Sequence, residues 1–433
     1  MSRHSFVRKE MIPEQTPPLS SVGFVGWLRA NLFSSWLNAI LTVVALAFIA
    51  YVLSGVLPWT FQSTWNAASL TECREIAKAT WGQTHGHACW AVINDRWVQL
   101  LFGFYPSHLY WRPILALVLL IAALAPVLFN EAPRQLLYLA VVYPFLLPWL
   151  MWGGSLWVSI SVFLGFVLGY LVLKYLTVII GRLSGIIGAF LAALIWWYFL
   201  GSGFADVLGS VLPLSLESVT SRSFGGFMLA LLIGVIAIGC SLPTGIILAL
   251  ARQSDLLIVK AISVGFIEFI RGVPLITLLF VASTLLNIFL PPGSDFDIIL
   301  RVIIMVTLFA SAYMAEVIRG GLAALPRGQY EGADSLGLDY WQAQRLIIMP
   351  QALKVSIPGI VSTFIGVFKD TTLVSIIGLM DPLGLSQGIR ANAEWQGIYW
   401  ELFAFIALLF FVVCFSMSRY SMYLERKLQT DHS

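Results

Sequence analysis

The stretch EGADSLGLDYWQAQRLIIMP, residues 331–350, is a polar segment between long apolar runs. Its residues predict two short helices joined by a turn. Gly337 lies where the first helix should end, because glycine takes the left-handed conformation of a helix C-terminus without strain. Asp339 can cap the second helix, since a short carboxylate accepts the free amides of a first helical turn.

The second helix of this stretch is expected to present one side-chain face and to be limited by Pro350. Residues three or four apart on a helix are neighbours, so a repeat at that spacing predicts a shared face. The residues that recur in this way are Trp341, Gln344, Arg345 and Ile348.

The composition is that of a polytopic membrane protein. Of the 433 residues, 59% are hydrophobic and 11% are charged, whereas a soluble domain carries about 25% charged residues. The net charge of +3 is too small to indicate nucleic acid. The first apolar run is long and has no small-residue cleavage site behind it, so we expect a retained helix rather than a signal peptide.

About ten transmembrane helices are predicted, because each apolar run approaches the roughly 20 residues that cross a bilayer. They lie near 36–57, 112–129, 136–152, 156–176, 185–201, 225–250, 267–290, 298–318, 357–380 and 399–420. The polar parts are tails at 1–35 and 424–433, a loop at about 58–111 and a loop at 326–350.

The positive-inside rule predicts the orientation. With the N-terminus in the cytoplasm, the inner segments hold 16 Lys and Arg residues and the outer segments hold 5. We therefore expect both termini and the 326–350 loop in the cytoplasm, and the 58–111 loop outside.

The 331–350 stretch resembles the EAA loop of the membrane subunits of ABC importers, E-A-A-x3-G-x9-I-x-L-P. The matching residues are Glu331, Ala333, Gly337, Ile347 and Pro350, with Gly332 for the first Ala and Met349 for Leu. The resemblance implies that this loop is the coupling helix, which docks on a separate cytoplasmic ATPase. The alternative is an ordinary amphipathic loop on the membrane surface.

Three further segments narrow the resemblance to amino acid permeases of the histidine/glutamate/glutamine type. They are EFIRGVPL at 268–275, AYMAEVIRGG at 312–321 and KDTTLVSIIG at 369–378. The resemblance implies a type I importer permease core of five helices at 225–423. The transmembrane extension at 36–224 is similar to that of the general L-amino acid and the glutamate/glutamine/aspartate/asparagine importers.

The resemblance also implies the partners of this chain. We expect two ATPase subunits, a second and related permease subunit, and a periplasmic amino-acid-binding protein. The chain has no G-x-x-x-x-G-K-[ST] motif, so ATP and Mg²⁺ would bind to the ATPase and the chain itself would be no enzyme. The spacing of its histidines predicts no metal site.

Charged residues within apolar spans are functional candidates, because burial in a membrane is costly. Glu268 with Arg271, and Glu316 with Arg319, are three apart and favour structural ion pairs. A second group is predicted inside the span 357–380, where a translocation path and packing between helices remain open alternatives. Its members are Lys369, Asp370, Thr371, Thr372 and Ser375. Pro274 is expected to kink its span.

The outer loop contains Cys73 and Cys89. In an oxidising compartment they could form a disulfide bond, and two free thiols are the alternative.

Two other functions compete with the importer subunit. An ion-coupled secondary amino acid transporter would use Lys369 and Asp370 as a proton or sodium site. A membrane sensor or scaffold would use the 58–111 loop, but it leaves the 331–350 stretch unexplained.

Overall fold

The computed structural model describes residues 23–82, 86–129, 131–285, 288 and 296–429. The chain divides into two compact units, residues 1–91 and 92–433.

The first unit contains α1 (Gly23–Asn31), α2 (Trp36–Phe61) and α3 (Leu70–Trp81). The apolar helix α2 follows Ser35, whose hydroxyl accepts a hydrogen bond from the amide of Asn38 at 3.2 Å. This side-chain cap satisfies one of the free amides at the helix start. Helix α3 lies within the predicted 58–111 loop, so part of that loop is helical.

A disulfide bond joins Cys73 on α3 to Cys89, with the Cα atoms 6.0 Å apart. Of the two alternatives that the sequence leaves open, the structure has the bonded one. Nearby, Trp90 packs against Trp59 and Trp65, with ring centroids 5.6 and 6.0 Å apart. The disulfide and the tryptophan cluster give this loop a core of its own.

The second unit holds the remaining helices. In chain order they are α4 (Ala91–Phe102), α5 (Trp111–Leu128), α6 (Leu136–Trp152), α7 (Leu156–Ile179), α8 (Arg182–Ile195), α9 (Gly201–Val211), α10 (Gly226–Arg252), α11 (Leu257–Gly272), α12 (Leu275–Phe280), α13 (Ile298–Ala323), α14 (Arg327–Ser335), α15 (Tyr340–Ala343), α16 (Met349–Asp370), α17 (Pro382–Ala391) and α18 (Trp400–Gln429).

Shorter elements connect these helices. The 3₁₀ helices are Ser107–Leu109, Ser221–Ser223 and Thr371–Ile377, and the π-helical turns are Trp196–Leu200, Val281–Leu285 and Gln344–Ile348. Strands β1 (Gly154–Ser155) and β2 (Ser215–Leu216) form an antiparallel pair in which Gly154 faces Leu216.

The helices agree with the predicted spans in position. Eight described helices are long and apolar enough to cross a membrane, and the number is nine if the bent pair α11–α12 is one span. A further apolar helix of 17 residues, α6, lies where the span 136–152 is predicted. The all-α polytopic fold is therefore confirmed.

The span predicted at 267–290 is wrong as a single helix. Helices α11 and α12 meet at 102°. Pro274 lies at the break, and Val273 before it is extended, with φ −107° and ψ 131°. A residue that precedes proline avoids the helical region, so the kink expected at Pro274 is a sharp turn between two helices.

Small residues let α10 pack closely on α13. Ala237, Ser241, Gly245 and Ala249 recur every four residues along α10, and all are buried. A Cβ atom at Gly245 would lie 2.7 Å from the side chain of Met314, so a larger residue would push the two helices apart. Small interface residues bring membrane helices into contact in this way.

One hydrophobic cluster joins residues 92–224 to the C-terminal half of the chain. Its buried members include Ala116 and Leu147 on α5 and α6, Ile233 on α10, Val306 on α13 and Val374 after α16. The extension in this unit therefore shares its packing with the helices that follow residue 225.

Candidate coupling segment and translocation path

The turn in the 326–350 segment is built as predicted. Helix α14 ends before Gly337, whose φ is +69°. The amide of Gly337 donates to the carbonyl of Asp334 at 2.9 Å, and that of Leu338 donates to the carbonyl of Ala333 at 3.2 Å. This pair of bonds is a Schellman motif, which satisfies the free carbonyls of the helix end. The reversal of the chain therefore depends on a left-handed residue at position 337.

The second helix begins with a capping box. Asp339 accepts from the amide of Gln342 at 2.8 Å, and the Gln342 side chain accepts from the amide of Asp339 at 3.0 Å. The sequence predicts the role of Asp339. It also contains the signal for Gln342, since a Gln three residues after a capping residue completes the box. Sequence reasoning missed that second half.

The prediction that Pro350 limits this helix is wrong. Helix α15 continues through the π-helical turn Gln344–Ile348 into α16, and Pro350 lies in the first turn of α16. The amide of Met349 bonds to the carbonyl of Gln344, five residues earlier. This wider turn shifts the hydrogen-bond register just before the proline, where the ring would otherwise clash with a carbonyl.

The four residues that recur at helical spacing differ in their burial. Gln344 and Ile348 are buried, whereas Trp341 is 55% exposed and Arg345 is exposed. The segment therefore has a buried side, with Gln344 and Ile348, and an exposed side, with Trp341 and Arg345. One side holds the segment to the protein, and the other side is open.

The candidate coupling residues divide between these two sides. Ala333 is 1% exposed and packs inward, and Ile347 is half-buried against the cluster that includes Ile318 and Ala352. Glu331, Gly332, Gly337 and Pro350 are exposed. Large apolar side chains are also exposed along this segment, namely Leu336, Tyr340, Trp341 and Leu346. The segment therefore combines buried anchors with a partly aromatic outer surface.

The two predicted ion pairs belong to one cluster of five residues, which we call the ion-pair cluster. Arg252 at the end of α10 lies 3.0 Å from Glu268 on α11 and 3.2 Å from Glu316 on α13. Glu316 also lies 3.6 Å from Arg271 and accepts from Nε of Arg319 at 2.8 Å. Glu268 and Arg271 are 4.0 Å apart. Sequence reasoning missed Arg252, which has no local spacing to either carboxylate.

The ion-pair cluster joins three helices close to the 326–350 segment. Arg319 lies one turn before the end of α13 at Ala323, and Pro326 precedes the start of α14 at Arg327. Glu316 is 24% exposed and contacts three guanidinium groups, whereas Glu268 is 53% exposed and contacts two. The cluster thus contains two carboxylates and three guanidinium groups, and the Glu316 carboxylate contacts all three guanidinium groups.

The candidate path residues lie within the candidate membrane span Tyr340–Ile377, where an α-helix passes into a 3₁₀ helix. Helix α16 stops at Asp370, and Thr371, Thr372 and Ser375 continue in a 3₁₀ helix. The three hydroxyls donate to carbonyls three residues earlier at 2.7, 2.9 and 3.0 Å. Lys369 is exposed and Asp370 is half-buried. The hydroxyl donors are thus used locally. Thr371 is fully buried, whereas the lone pairs of Thr372 and Ser375 can accept a hydrogen bond from a polar solute.

Apolar helices of spanning length, with a capped polar segment between two of them, are the architecture of a polytopic membrane protein. The family model described as "Binding-protein-dependent transport system inner membrane component" matches residues 241–430. The chain is 58% identical over 434 residues to the glutamate/glutamine/aspartate/asparagine transport system permease protein BztC of Rhodobacter capsulatus, covering 100% of both chains.

Two further proteins are similar to this chain. The inner membrane amino-acid ABC transporter permease protein YhdY of Escherichia coli is 39% identical over 94% of both chains. A crystal structure of an amino acid ABC transporter with histidines is 30% identical, with a TM-score of 0.42, over 46% of this chain and 91% of that one. The chain belongs to the family of inner membrane permease subunits of amino acid ABC importers.

Proposed function

We propose that this chain carries glutamate, glutamine, aspartate and asparagine across the inner membrane. The observation that carries this proposal is the 58% identity to a permease named for these four substrates, over the full length of both chains. They share an α-amino and an α-carboxyl group, and they differ by one methylene in side-chain length and in whether the side chain ends in a carboxylate or an amide.

The 326–350 segment is the site where the ATPase subunit docks. Its Schellman turn and capping box fix a short helix at a defined angle. Its inner side packs on the helices of the permease, and its outer side leaves Tyr340 and Trp341 exposed. A rigid and exposed helix of this kind can transmit the movement of an ATPase to the spans.

The working assembly contains two ATPase subunits, a second and related permease subunit, and a periplasmic amino-acid-binding protein. ATP and Mg²⁺ bind to the ATPase. Its closure moves the 326–350 segment, and the spans then change from inward-facing to outward-facing. The ion-pair cluster joins α10, α11 and α13 near the 326–350 segment, so it lies between that segment and the spans.

The 3₁₀ helix after α16 contributes to the translocation path. Lys369 supplies an exposed cation for a substrate carboxylate, and Asp370 supplies a carboxylate for its ammonium group. The two residues are adjacent and therefore point to different sides of the helix end, so they do not neutralise each other fully.

Reconstitution tests the function directly. The chain is produced together with its ATPase, second permease and receptor, purified by a tag on Ser433, and placed in proteoliposomes. We expect the ATPase to co-purify, and labelled glutamate to enter only with ATP. Unlabelled glutamine, aspartate and asparagine should compete with it, while lysine should not. Uptake driven by an imposed proton or sodium gradient, with no ATPase bound, would instead support the ion-coupled transporter.

The proposed orientation places both termini in the cytoplasm. A cysteine is introduced at Gln62 or at Gln429 after Cys240 and Cys414 are replaced by alanine. In spheroplasts, an impermeant maleimide should label the cysteine at position 62 and spare that at 429 until the membrane is opened. The reverse labelling would contradict the orientation.

A further inference from the structure

The N-terminal extension contains a tightly packed hairpin, α7–α8. A Cβ atom at Gly185 would lie 2.2 Å from the Thr177 hydroxyl, and one at Gly188 would lie 2.6 Å from the Leu176 side chain. The helices are therefore in contact right up to their turn. The turn contains Gly181, whose φ of +110° favours glycine. Arg182 follows it directly, so its position is fixed by the hairpin.

Arg182 contacts the 326–350 segment. Its guanidinium carbon lies 5.9 Å from the ring centroid of Trp341 on α15. A cation at this distance from a tryptophan face is attracted by the negative face of the ring. Trp341 is also packed edge-on against Tyr340, with centroids 5.3 Å apart. Arg182 thus reaches one side of the exposed aromatic pair on the proposed coupling helix.

One partner of this contact, Arg182, lies outside the residues that the family model matches, whereas Trp341 lies inside them. That model begins at residue 241, whereas Arg182 is part of the extension. The anchors described above, such as Ala333 and Ile348, belong to the C-terminal half and hold the inner side of the segment. Arg182 is different because it touches the outer side, next to the surface where the ATPase would dock.

We propose that Arg182 is a positioning residue, through which the extension orients Trp341 and the coupling helix for the ATPase. This inference rests on the proposed function of the 326–350 segment. The extension then has a role in coupling, because the hairpin holds the helix from the side while the buried anchors hold it from within. Loss of the cation should leave the transport site intact and reduce how much uptake accompanies each hydrolysed ATP.

The test uses the whole reconstituted complex with Arg182→Ala, Arg182→Lys, Trp341→Leu and the double variant Arg182→Ala/Trp341→Leu. Arg134→Ala is the matched control, since it removes one exposed cation from the turn between α5 and α6. The measurements are uptake per ATP hydrolysed and the ATPase concentration that gives half-maximal hydrolysis. Protein level and the KM for glutamate are followed in parallel.

We expect Arg182→Ala to lower the uptake per ATP about two- to fivefold, the range that an exposed cation–π contact allows. Arg182→Lys should recover most of this loss, and Arg134→Ala should match the wild type. The double variant should be no worse than Trp341→Leu, because Arg182 acts through that ring. Additive losses, a loss as large in Arg134→Ala, or no change in Arg182→Ala would each overturn the inference. Failure of the wild-type chain to bind any ATPase would instead contradict the proposed function.

Discussion

The indole Nε1 of Trp395 donates a hydrogen bond to Oδ2 of Asp95 at 3.0 Å, although 300 residues separate the two in sequence. Trp395 is fully buried, and Asp95 lies on α4. Beside this bond, Arg96 lies 3.3 Å from Glu394. Helix α4 of the extension is thus fastened to the segment between α17 and α18.

We expect Asp95→Ala to destabilise the protein by about 1–3 kcal/mol, because it leaves the buried indole donor without an acceptor. Asp95→Asn keeps an acceptor and should lie close to the wild type. The measurement is the midpoint of thermal unfolding in detergent for all three proteins. Equal midpoints for Asp95→Ala and the wild type would show that the bond contributes nothing.

The positions of the apolar helices follow from the sequence, whereas the contacts between distant segments do not. Hydrophobic run length predicts α2, α10 and α13, because a span must bury its backbone hydrogen bonds within itself. The length of an apolar run carries no information on which helix ends are in contact with each other. The partnership of Asp95 with Trp395, like the entry of Arg252 into the ion-pair cluster, therefore appears only in the structure.

The prolines in the sequence predict where the helical backbone is interrupted, but they do not predict how strongly the chain bends there. Pro274 marks a break in the sequence, yet the 102° angle depends on the packing of α11 and α12. The sequence also indicates an interruption at Pro350, but the π-helical turn removes it. A proline shows where a backbone donor is missing, and the surrounding structure decides whether the helix ends, bends or widens there.

Neutralising Glu316 should lower the uptake per ATP and the amount of assembled complex more than neutralising Glu268. Glu316 contacts Arg252, Arg271 and Arg319, so Glu316→Gln leaves three cations with one carboxylate. Glu268 is more exposed, and an exposed ion pair contributes only about 0–1 kcal/mol. Uptake per ATP and the amount of assembled complex are compared for both variants. A larger defect in Glu268→Gln would contradict the central position of Glu316.

The buried carboxyl group of Asp381 should make stability depend on pH. Burial raises its pKa to about 6, although the amides of Gly384 and Leu383 donate to it. A raised carboxyl pKa means that the folded state binds the proton more tightly than the unfolded state. Stability is therefore highest below the ordinary value of about 4, falls as the pH rises to about 6, and stays lower above it.

Asp381→Asn isolates this effect, since asparagine also caps a helix but does not titrate. We expect the variant to gain stability over the wild type as the pH rises from 4.5 to 7.5, by on the order of 2–3 kcal/mol at most. Unfolding midpoints of both proteins across this range give the difference. A difference that is constant with pH would show that Asp381 titrates normally.

Neutralising the residues at the end of α16 should reduce transport and leave assembly intact. Lys369→Met removes an exposed charge, and Asp370→Asn keeps the shape of a half-buried side chain. We expect both to raise the KM for glutamate, because each removes a charged partner for the substrate. Lys354→Met, on the same helix, is the control. If Asp370→Asn prevents assembly of the complex, its role is packing, and normal uptake in both variants would exclude them from the path.

Gly337→Val should uncouple the ATPase from transport. A Cβ atom at Gly337 would meet nothing within 4 Å, so crowding is not the cause. The cost comes from the backbone, because a β-branched residue at φ +69° is strained by about 1–2 kcal/mol. That is too little to unfold a bundle of apolar spans, but it is enough to shift the short helix that the Schellman turn orients.

Gly328→Ala is the matched control for this variant. Gly328 lies within α14 without a positive φ, and a Cβ atom there also meets nothing within 4 Å. Alanine should therefore strengthen the helix by up to about 1 kcal/mol. Glu331→Ala removes one exposed charge and should cause a mild loss. Uptake, hydrolysis and subunit stoichiometry are measured together. Gly337→Val should hydrolyse ATP with little uptake at a normal protein level, and full coupling in that variant would mean that the turn does not transmit movement.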